Sequence, residues 1–496
     1  MEEQINIKME RFNVLLEKAQ YGKKQHQYDG IAWCIRNELQ GQDQVKDQTK
    51  IIKGGIIADE MGLGKTLMMI GVMFVNFKRK TLIVVPPVLL EQWAAEIYKC
   101  SGHKALVYHG KTKEITDKAL AEAPIVLTTY SMLLPSNAKD KTNAKANAKD
   151  NIGNTRLHKI RWNRLIFDEA HHLRNNNTTR YKSCTALRAS IKWLVTGTPV
   201  QNKRSDFSNL CNVVGITSLE KDIMQKYILR RTKSEAGIIL PPVFNHCNTI
   251  DWSNINEKML AEEIHSLLPK QTFVKTRNTN PGFLAAKLED KGALIAILRA
   301  RQSCIMPALL KPITRGIKED SYRQGTNSSS KLDAVIKSIL EKKDNGNGKI
   351  IFCNFKKEID FVAEQLRRGG MQKVVTYDGR NKKSIQTLSE EADAIVIQIQ
   401  TGCEGLNLQK NFSEIYFISP HWNPSVEDQA VARCYRIGQV KPTNVYKFEM
   451  NGFDQQDPTS DPTSDPTVNQ MPITLEKYVN KVQQTKRQIA SEINLN

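Results

Sequence analysis

Residues 55–66 read Gly-Ile-Ile-Ala-Asp-Glu-Met-Gly-Leu-Gly-Lys-Thr. An apolar run (Ile51, Ile52, Ile56, Ile57) enters this stretch, and a helix-like apolar run from Leu67 to Val75 leaves it. That is the strand–loop–helix order of a phosphate-binding loop. Small residues at Gly62 and Gly64 let backbone N–H groups close around phosphate oxygens. Lys65 can reach the β and γ phosphates of a nucleotide, and the Thr66 hydroxyl can ligate Mg²⁺. A chance glycine turn is the competing reading, and the position between strand and helix favours nucleotide binding over it.

The same βα rhythm runs through most of the chain. Candidate strands end at Ala58, Val85, Thr129, Phe167 and Thr196 in the first half, and near Cys353, Tyr377, Ile399, Ile418 and Phe448 in the second. Each is followed by a Gly/Pro-marked loop and a helical segment, which implies two α/β lobes with parallel sheets. Between them, residues 231–330 lack β-type runs. Glu257–Leu268 and Phe283–Cys304 read as amphipathic helices, and Lys318–Ser330, with Gly325, Asn327 and the serine run Ser328–Ser330, reads as a linker. Two low-complexity stretches read as surface loops, Ser136–Asn154 (repeated Asn-Ala-Lys) and Asp457–Thr467 (repeated Asp-Pro-Thr-Ser). The tail, Thr474–Ile493, has helical spacing and is expected to pack back on a lobe.

Lys plus Arg number 72 against 52 for Asp plus Glu, a net charge of +20. Such an excess suits a phosphate backbone, or else only solvates the surface. The longest apolar run, Leu82–Leu90, holds two prolines and is far short of a membrane span, so no membrane partner is expected. The nine cysteines form no C-x-x-C pair, which points to reduced thiols in cytosol or nucleus and to no zinc module.

A second chemical signal is the apolar run Leu165-Ile166-Phe167 ending in Asp168-Glu169-Ala170-His171-His172. Asp168 can hold Mg²⁺, and Glu169 can orient and deprotonate an attacking water. Alone, Asp-Glu at a strand end is as often a helix cap. With the phosphate loop about a hundred residues upstream, it reads as a hydrolytic site. Thr196-Gly197-Thr198-Pro199 follows another strand, as a nucleotide-state relay or a plain Gly-Pro turn. Late in the chain, Gln429 to Gln439 carries Arg433 and Arg436 three apart on an expected helix, on one face. Guanidinium groups there can neutralise charge growing on a γ phosphate, and an exposed basic face is the alternative.

Taken in order, these motifs resemble the Swi/Snf-type ATPases of helicase superfamily two. Gln27, in His26-Gln27-Tyr28-Asp29-Gly30, resembles the family's adenine-reading glutamine. Asp59, Glu60, Met61, Gly62, Leu63, Gly64, Lys65 and Thr66 match its phosphate loop, with Asp59 where other phosphate loops carry glycine. Pro86-Pro87 through Gln92-Trp93, the DEAH-type run from Asp168 to His171, and Leu229-Arg230-Arg231-Thr232-Lys233 match its next blocks. Gly402–Gln409, Trp422-Asn423-Pro424, the arginine-finger positions Arg433 and Arg436, and Thr474-Leu475-Glu476 match its second half. The chain departs from the pattern at His172, Cys403, Ala432 and Tyr435, none of which removes a catalytic group. Only 26 residues lie between Asn202 and Leu229, so the family's first helical protrusion is nearly absent, and the stripped size resembles viral members.

The resemblance implies an α/β fold, with two RecA-like parallel-sheet lobes in tandem and a small helical insertion between them. The expected division is an N-terminal extension (1–20), lobe one (21–230), insertion and linker (231–330), and lobe two with a C-terminal brace (331–496). The implied activity is a DNA-dependent ATPase using ATP and Mg²⁺, which translocates on double-stranded DNA. Lys65, Asp168 and Glu169 would face Arg433 and Arg436 across the nucleotide. Thr128, Thr129, Thr401 and Asn407 are candidate contacts to the DNA backbone, because hydroxyl and amide groups position phosphates. Use in transcription regulation or in chromatin and protein displacement, in the nucleus, follows from the family. A strand-separating helicase and a non-enzymatic DNA-binding transactivator are the alternatives.

Overall fold

The computed structural model describes residues 2–40, 43–45, 48–50, 52–110, 115–135, 152–201, 203–268, 291–310, 319–380, 392–402, 406–453 and 473–492. The chain divides into two compact units, one made of Met1–Ile239 with Ala490–Asn496 and one of Leu240–Ile489. The segment 457–467, and 136–154 apart from its last three residues, lie outside the described residues.

The first unit is built on a seven-stranded sheet. Its strands are β1 (Gly54–Ile57), β2 (Thr81–Val85), β3 (Leu106–Tyr108), β4 (Ile125–Thr129), β5 (Trp162–Asp168), β6 (Ala189–Val195) and β7 (Ile228–Leu229). They lie in the order β3-β4-β2-β5-β6-β1-β7, every neighbouring pair parallel. Strands covered on both faces need apolar residues at every position rather than at alternate ones. In β2, Leu82 and Val84 enter the core on one face, and Ile83 and Val85 enter the core on the other. The second of these cores is closed by α1 (Glu2–Ala19), α2 (Gln25–Gln40), α3 (Lys65–Val75) and α4 (Leu90–Ser101). The first nineteen residues are thus part of this unit: α1 buries Ile5, Phe12, Leu15, Leu16 and Ala19.

A buried polar lock ties these elements together. Arg164 in β5, fully buried, donates from Nε and Nη2 to the two oxygens of Glu38 at 2.7 and 2.5 Å. The indole N–H of Trp193 and the amide of Asn76 complete the ring around that carboxylate at 2.9 and 2.6 Å.

The second unit holds a six-stranded parallel sheet. Its strands are β8 (Val243–Ile250), β9 (Gly348–Cys353), β10 (Val374–Tyr377), β11 (Ala394–Gln398), β12 (Phe412–Phe417) and β13 (Thr443–Met450). Their order is β8-β13-β12-β9-β11-β10. Its longer helices are α5 (Ile255–Ser266), α6 (Lys291–Ile305), α7 (Glu319–Gly325), α8 (Ser330–Leu340), α9 (Lys356–Arg368), α10 (Pro424–Val431) and, as far as Ile489, α11 (Leu475–Glu492).

Two expectations for residues 231–330 fail here. The stretch is not free of strands, since β8 pairs with β13 over eight residues. An edge strand has one bonded side and half-exposed faces, so Val-Phe-Asn-His-Cys-Asn-Thr-Ile needs no apolar run. Nor is Lys318–Ser330 a linker throughout. Residues 319–325 are helical, and the serines bury a carboxylate: Ser328 Oγ, Ser330 N and Ser330 Oγ donate to Glu257 at 3.1, 3.0 and 2.6 Å. Serine clusters serve spacers and carboxylate cages equally well, and only the tertiary partner tells them apart.

Candidate nucleotide site and arginine pair

The loop from Ala58 to Gly64 leaves β1 at its carboxyl end and turns into α3. Gly62 and Gly64 have φ of +93° and +81°, a region side chains avoid, and a Cβ on Gly64 would collide with the Gln27 amide. Lys65 follows at the first position of α3. Its ammonium donates to the carbonyls of Asp59 and Glu60 at 2.8 and 3.2 Å. Burial lowers the Lys65 pKa, while Glu169, Asp59 and Asp168 pull it back up.

Helix α2 brings His26 and Gln27 against the same loop. His26 Nε2 lies 3.0 Å from the Leu63 carbonyl, and Gln27 Nε2 donates to it at 3.4 Å. Gln27 Oε1 is buried without a partner. A buried acceptor left over beside a phosphate loop fits an exocyclic amine donor, so the residues present suit an adenine nucleotide.

Asp168 ends β5 two strands away from β1. Its Oδ2 accepts the indole N–H of Trp93 in α4 at 2.7 Å, and its Oδ1 accepts the Glu169 amide at 2.9 Å. Tyr130 donates to its carbonyl at 2.7 Å. Burial and then the Glu169 charge push the Asp168 carboxyl up to about 6, against the Trp93 bond and Lys65. Glu169 sits in left-handed backbone at φ +47°, a strained conformation for a side-chain-bearing residue, with its carboxylate 3.2 Å from His171 Nδ1. Gly197, after β6, packs on the loop so closely that a Cβ would lie 2.6 Å from Met61 Cγ. The loop, Gln27, the two carboxylates and the Thr196-Gly197 turn therefore meet at the carboxyl end of one sheet, where open α/β sheets bind ligands.

Some expected contacts are reassigned. Asp59 is fully buried and receives Nε and Nη2 of Arg231 at 3.1 and 2.6 Å, so its carboxylate is bound within the fold rather than offered to a nucleotide. Glu60 accepts the Lys233 amide at 2.8 Å and pairs with its ammonium. Thr128 and Thr129 are both 0% exposed. Thr128 donates to the Tyr108 carbonyl at 2.8 Å, and Thr129 bonds Ser131 Oγ and His109 at 2.9 and 3.0 Å. Both belong to β4, buried on two faces, so neither reaches a DNA backbone from here; Ser131 beside them is exposed.

In the second unit the helix carrying Gln429 ends at Val431, so Arg433 and Arg436 are not on it. They lie in the turns that follow, because the chain leaves helical register to bond the 406–408 segment: the Leu408 amide donates to the Arg433 carbonyl at 3.1 Å. The two guanidinium groups still converge, each 3.5 Å from the Leu406 carbonyl. Arg433 Nε is buried without a partner. Burial and the neighbouring Arg433 charge push Arg436 down to about 10. Asn407 is bonded to Arg436, which makes it a holder of the arginine in this structure rather than a free backbone contact. The Thr401 side chain lies outside the described residues.

Trp93, Tyr130, Arg231 and Lys233 are site residues to which the sequence assigns no role. Trp93 and Arg231 stand 75 and 172 residues from the aspartates they bind, and no local pattern signals such a pair.

Two family models match parts of the chain. The model of an SNF2-related domain matches residues 26–222, and that of a helicase conserved C-terminal domain matches 330–438. A probable global transactivator of Orgyia pseudotsugata multicapsid polyhedrosis virus is 28% identical, over 85% of each chain. That agrees with the stripped size of the chain, which resembles a baculoviral global transactivator. Chromodomain-helicase-DNA-binding protein 1 of Homo sapiens is 26% identical over 88% of this chain, which spans only 26% of that protein. The DNA excision repair protein ERCC-6-like of Danio rerio is 24% identical over 87% of this chain and 35% of its own. The solved Sulfolobus solfataricus SWI2/SNF2 ATPase core in complex with dsDNA has 23% identity, covers 96% of this chain and 93% of that one, and gives a TM-score of 0.39.

Proposed function

We propose that this chain, built from an SNF2-related ATPase domain followed by a helicase C-terminal domain, is an ATP-driven translocase on double-stranded DNA. Its use would be transcription regulation or the displacement of chromatin and other proteins, in the nucleus, and the viral relative favours a viral setting. The observation that carries the reading is the meeting of Gln27, the glycine-cornered loop, Lys65 and the Asp168–Glu169 pair at the carboxyl end of one sheet.

In this mechanism Gln27 Oε1 accepts from the adenine amine. The loop amides and Lys65 hold phosphate, with Lys65 exchanging its present bonds to the Asp59 and Glu60 carbonyls for phosphate oxygens. Thr66 and Asp168 are the residues that would hold Mg²⁺, which supplies charge neutralisation on the phosphates when bound. Glu169 orients a water and takes its proton. The resemblance assigns Arg433 and Arg436 the arginine-finger role, positive charge that stabilises the transition state more than the ground state.

Two features support a nucleic-acid partner. The net charge is +20. A cavity of about 430 Å³ is edged by Lys159, Arg161, Arg188 and Lys192, at the amino ends of β5 and β6. Contacts from such basic side chains to phosphates would give sequence-independent, salt-sensitive affinity.

The test is steady-state ATPase with no DNA, single-stranded, duplex and nucleosomal DNA, beside strand displacement on a tailed duplex. Low basal turnover, strong stimulation by intact duplex and negligible displacement are expected. Robust unwinding would favour the helicase alternative, and no ATPase under any condition would leave a non-enzymatic transactivator.

A further inference from the structure

The segment that leads out of the first unit is bonded onto the nucleotide loop through alternate residues, Leu229, Arg231 and Lys233. β7 extends the sheet beside β1, with Ile56 opposite Ile228 and Ile57 opposite Leu229. Beyond the strands the pairing continues along the loop itself. The Ala58 amide donates to the Leu229 carbonyl at 2.7 Å, and the Glu60 amide donates to the Arg231 carbonyl at 2.9 Å. Side chains reinforce the same register. Arg231 forks onto the buried Asp59 carboxylate, and Lys233 meets Glu60 through both its amide and its ammonium.

The Arg231 guanidinium has a third partner. Nη1 donates to the His26 carbonyl at 2.5 Å, one residue before Gln27. Gly30, a turn further along α2, leaves the room: a Cβ there would lie 2.9 Å from Arg231 Nη2 and 2.7 Å from Met68 Sδ. One side chain therefore joins three parts of the site, namely the adenine-reading helix, the start of the phosphate loop and the chain leaving the unit. The Asp59 and Glu60 carbonyls bonded by Lys65 belong to the same two residues whose side chains Arg231 and Lys233 hold.

We infer that Arg231 and Lys233 are positioning residues of the nucleotide site, and that through them the state of the phosphate loop is passed to residues 228–233. The inference rests on the nucleotide-binding role proposed above. Its physical basis is shared geometry. The loop cannot shift at Asp59 or Glu60 without moving a bonded backbone pair and a bonded side-chain pair, and charge-assisted bidentate bonds are the stiffest available. Release of Lys65 from the two loop carbonyls on phosphate binding changes the same two residues. An arginine is required at 231, since a lysine carries the charge without the planar fork that spans Asp59 and the His26 carbonyl.

The test uses the full chain with Mg·ADP and no DNA, so that neither hydrolysis nor DNA binding enters. Nucleotide affinity is measured by calorimetry, and hydrogen–deuterium exchange is followed in peptides covering 58–66 and 228–236. For the parental chain, Mg·ADP is expected to slow exchange in both peptides together. Arg231→Met should weaken ADP roughly tenfold or more and abolish the response of 228–236. Arg231→Lys should recover part of the affinity. Lys233→Met, which leaves the buried Asp59 pair intact, should reduce the response of 228–236 more than it reduces affinity, and it carries the test if Arg231→Met does not fold. Slowed exchange confined to 58–66 in the parental chain, or parental ADP affinity in Arg231→Met, would overturn the inference while leaving the nucleotide site standing. A parental chain that binds no ADP would overturn both.

Discussion

Trp93→Phe is the most informative single change at Asp168, the carboxylate proposed to hold the metal. Phenylalanine keeps an aromatic ring in the α4 core but removes the indole N–H that reaches Asp168 Oδ2 at 2.7 Å. Asp168 is 6% exposed and Trp93 1%, so water does not readily replace the lost donor. A hydrogen bond to a charged group contributes about 1.5–3 kcal/mol, and one left unmade in a buried place costs on that order. At 1.4 kcal/mol per tenfold, that is roughly a 10- to 100-fold loss wherever ionised, oriented Asp168 is needed. Two readouts should move together: the Mg²⁺ concentration for half-maximal ATPase rises, and turnover at fixed low Mg²⁺ falls. The pH profile adds a signed check. Burial and Glu169 already push the Asp168 carboxyl up to about 6, and the Trp93 bond pulls it down. Removing that bond raises it further, so the acid limb of the profile should move to higher pH. A folded Trp93→Phe protein with parental Mg²⁺ dependence and an unmoved acid limb would refute the assignment of Asp168 as the metal-holding carboxylate.

Three further outcomes are expected. Arg433→Ala should bind ATP normally but lose about 10³–10⁵ in turnover, the range for arginine fingers, whereas Lys65→Ala should also weaken nucleotide binding and Glu169→Gln should bind ATP without turning it over; parental turnover in Arg433→Ala at saturating DNA would sink the proposed role. His265, buried with Nδ1 on the Ala261 carbonyl and Nε2 accepting the Leu475 amide, is pushed down to about 4 by burial. Its folded pKa lies below the unfolded value near 6.5, so stability should be unaffected above pH 6.5 and should fall by about 1.4 kcal/mol per pH unit between there and pH 4; denaturant midpoints for His265→Gln should show a flatter slope than the parental chain. Glu38→Ala leaves the Arg164 guanidinium buried and unpaired and should destabilise the first unit by roughly 3–5 kcal/mol, while Glu38→Met with Arg164→Leu should cost far less; equal losses in thermal unfolding would contradict the lock.

The sequence by itself determined the parts whose physics is local. The loop at 58–66 is legible because its glycines, its lysine and its flanking runs are contiguous, and the structure shows the left-handed glycines and the helix start where that pattern requires them. The central strands are legible because burial on both faces writes continuous apolar runs; candidate strand ends at Val85, Thr129 and Cys353 coincide with the observed ones. What depends on partners distant in sequence was decided by the tertiary structure. The polar edge strand β8 is stabilised by pairing with β13 rather than by its own composition. The serines near 329 gain their meaning from Glu257, some seventy residues away. Thr128 and Thr129 have the chemistry of phosphate contacts, yet they sit in a strand covered on both sides, where hydroxyls must be satisfied internally. Arg433 and Arg436 converge through a turn anchored on Leu406–Leu408 rather than along a helix face. The Arg231 fork onto Asp59 closes a contact 172 residues apart. A side chain's type limits which bonds it can make, but which bond it does make is set by what the fold brings within about 3 Å.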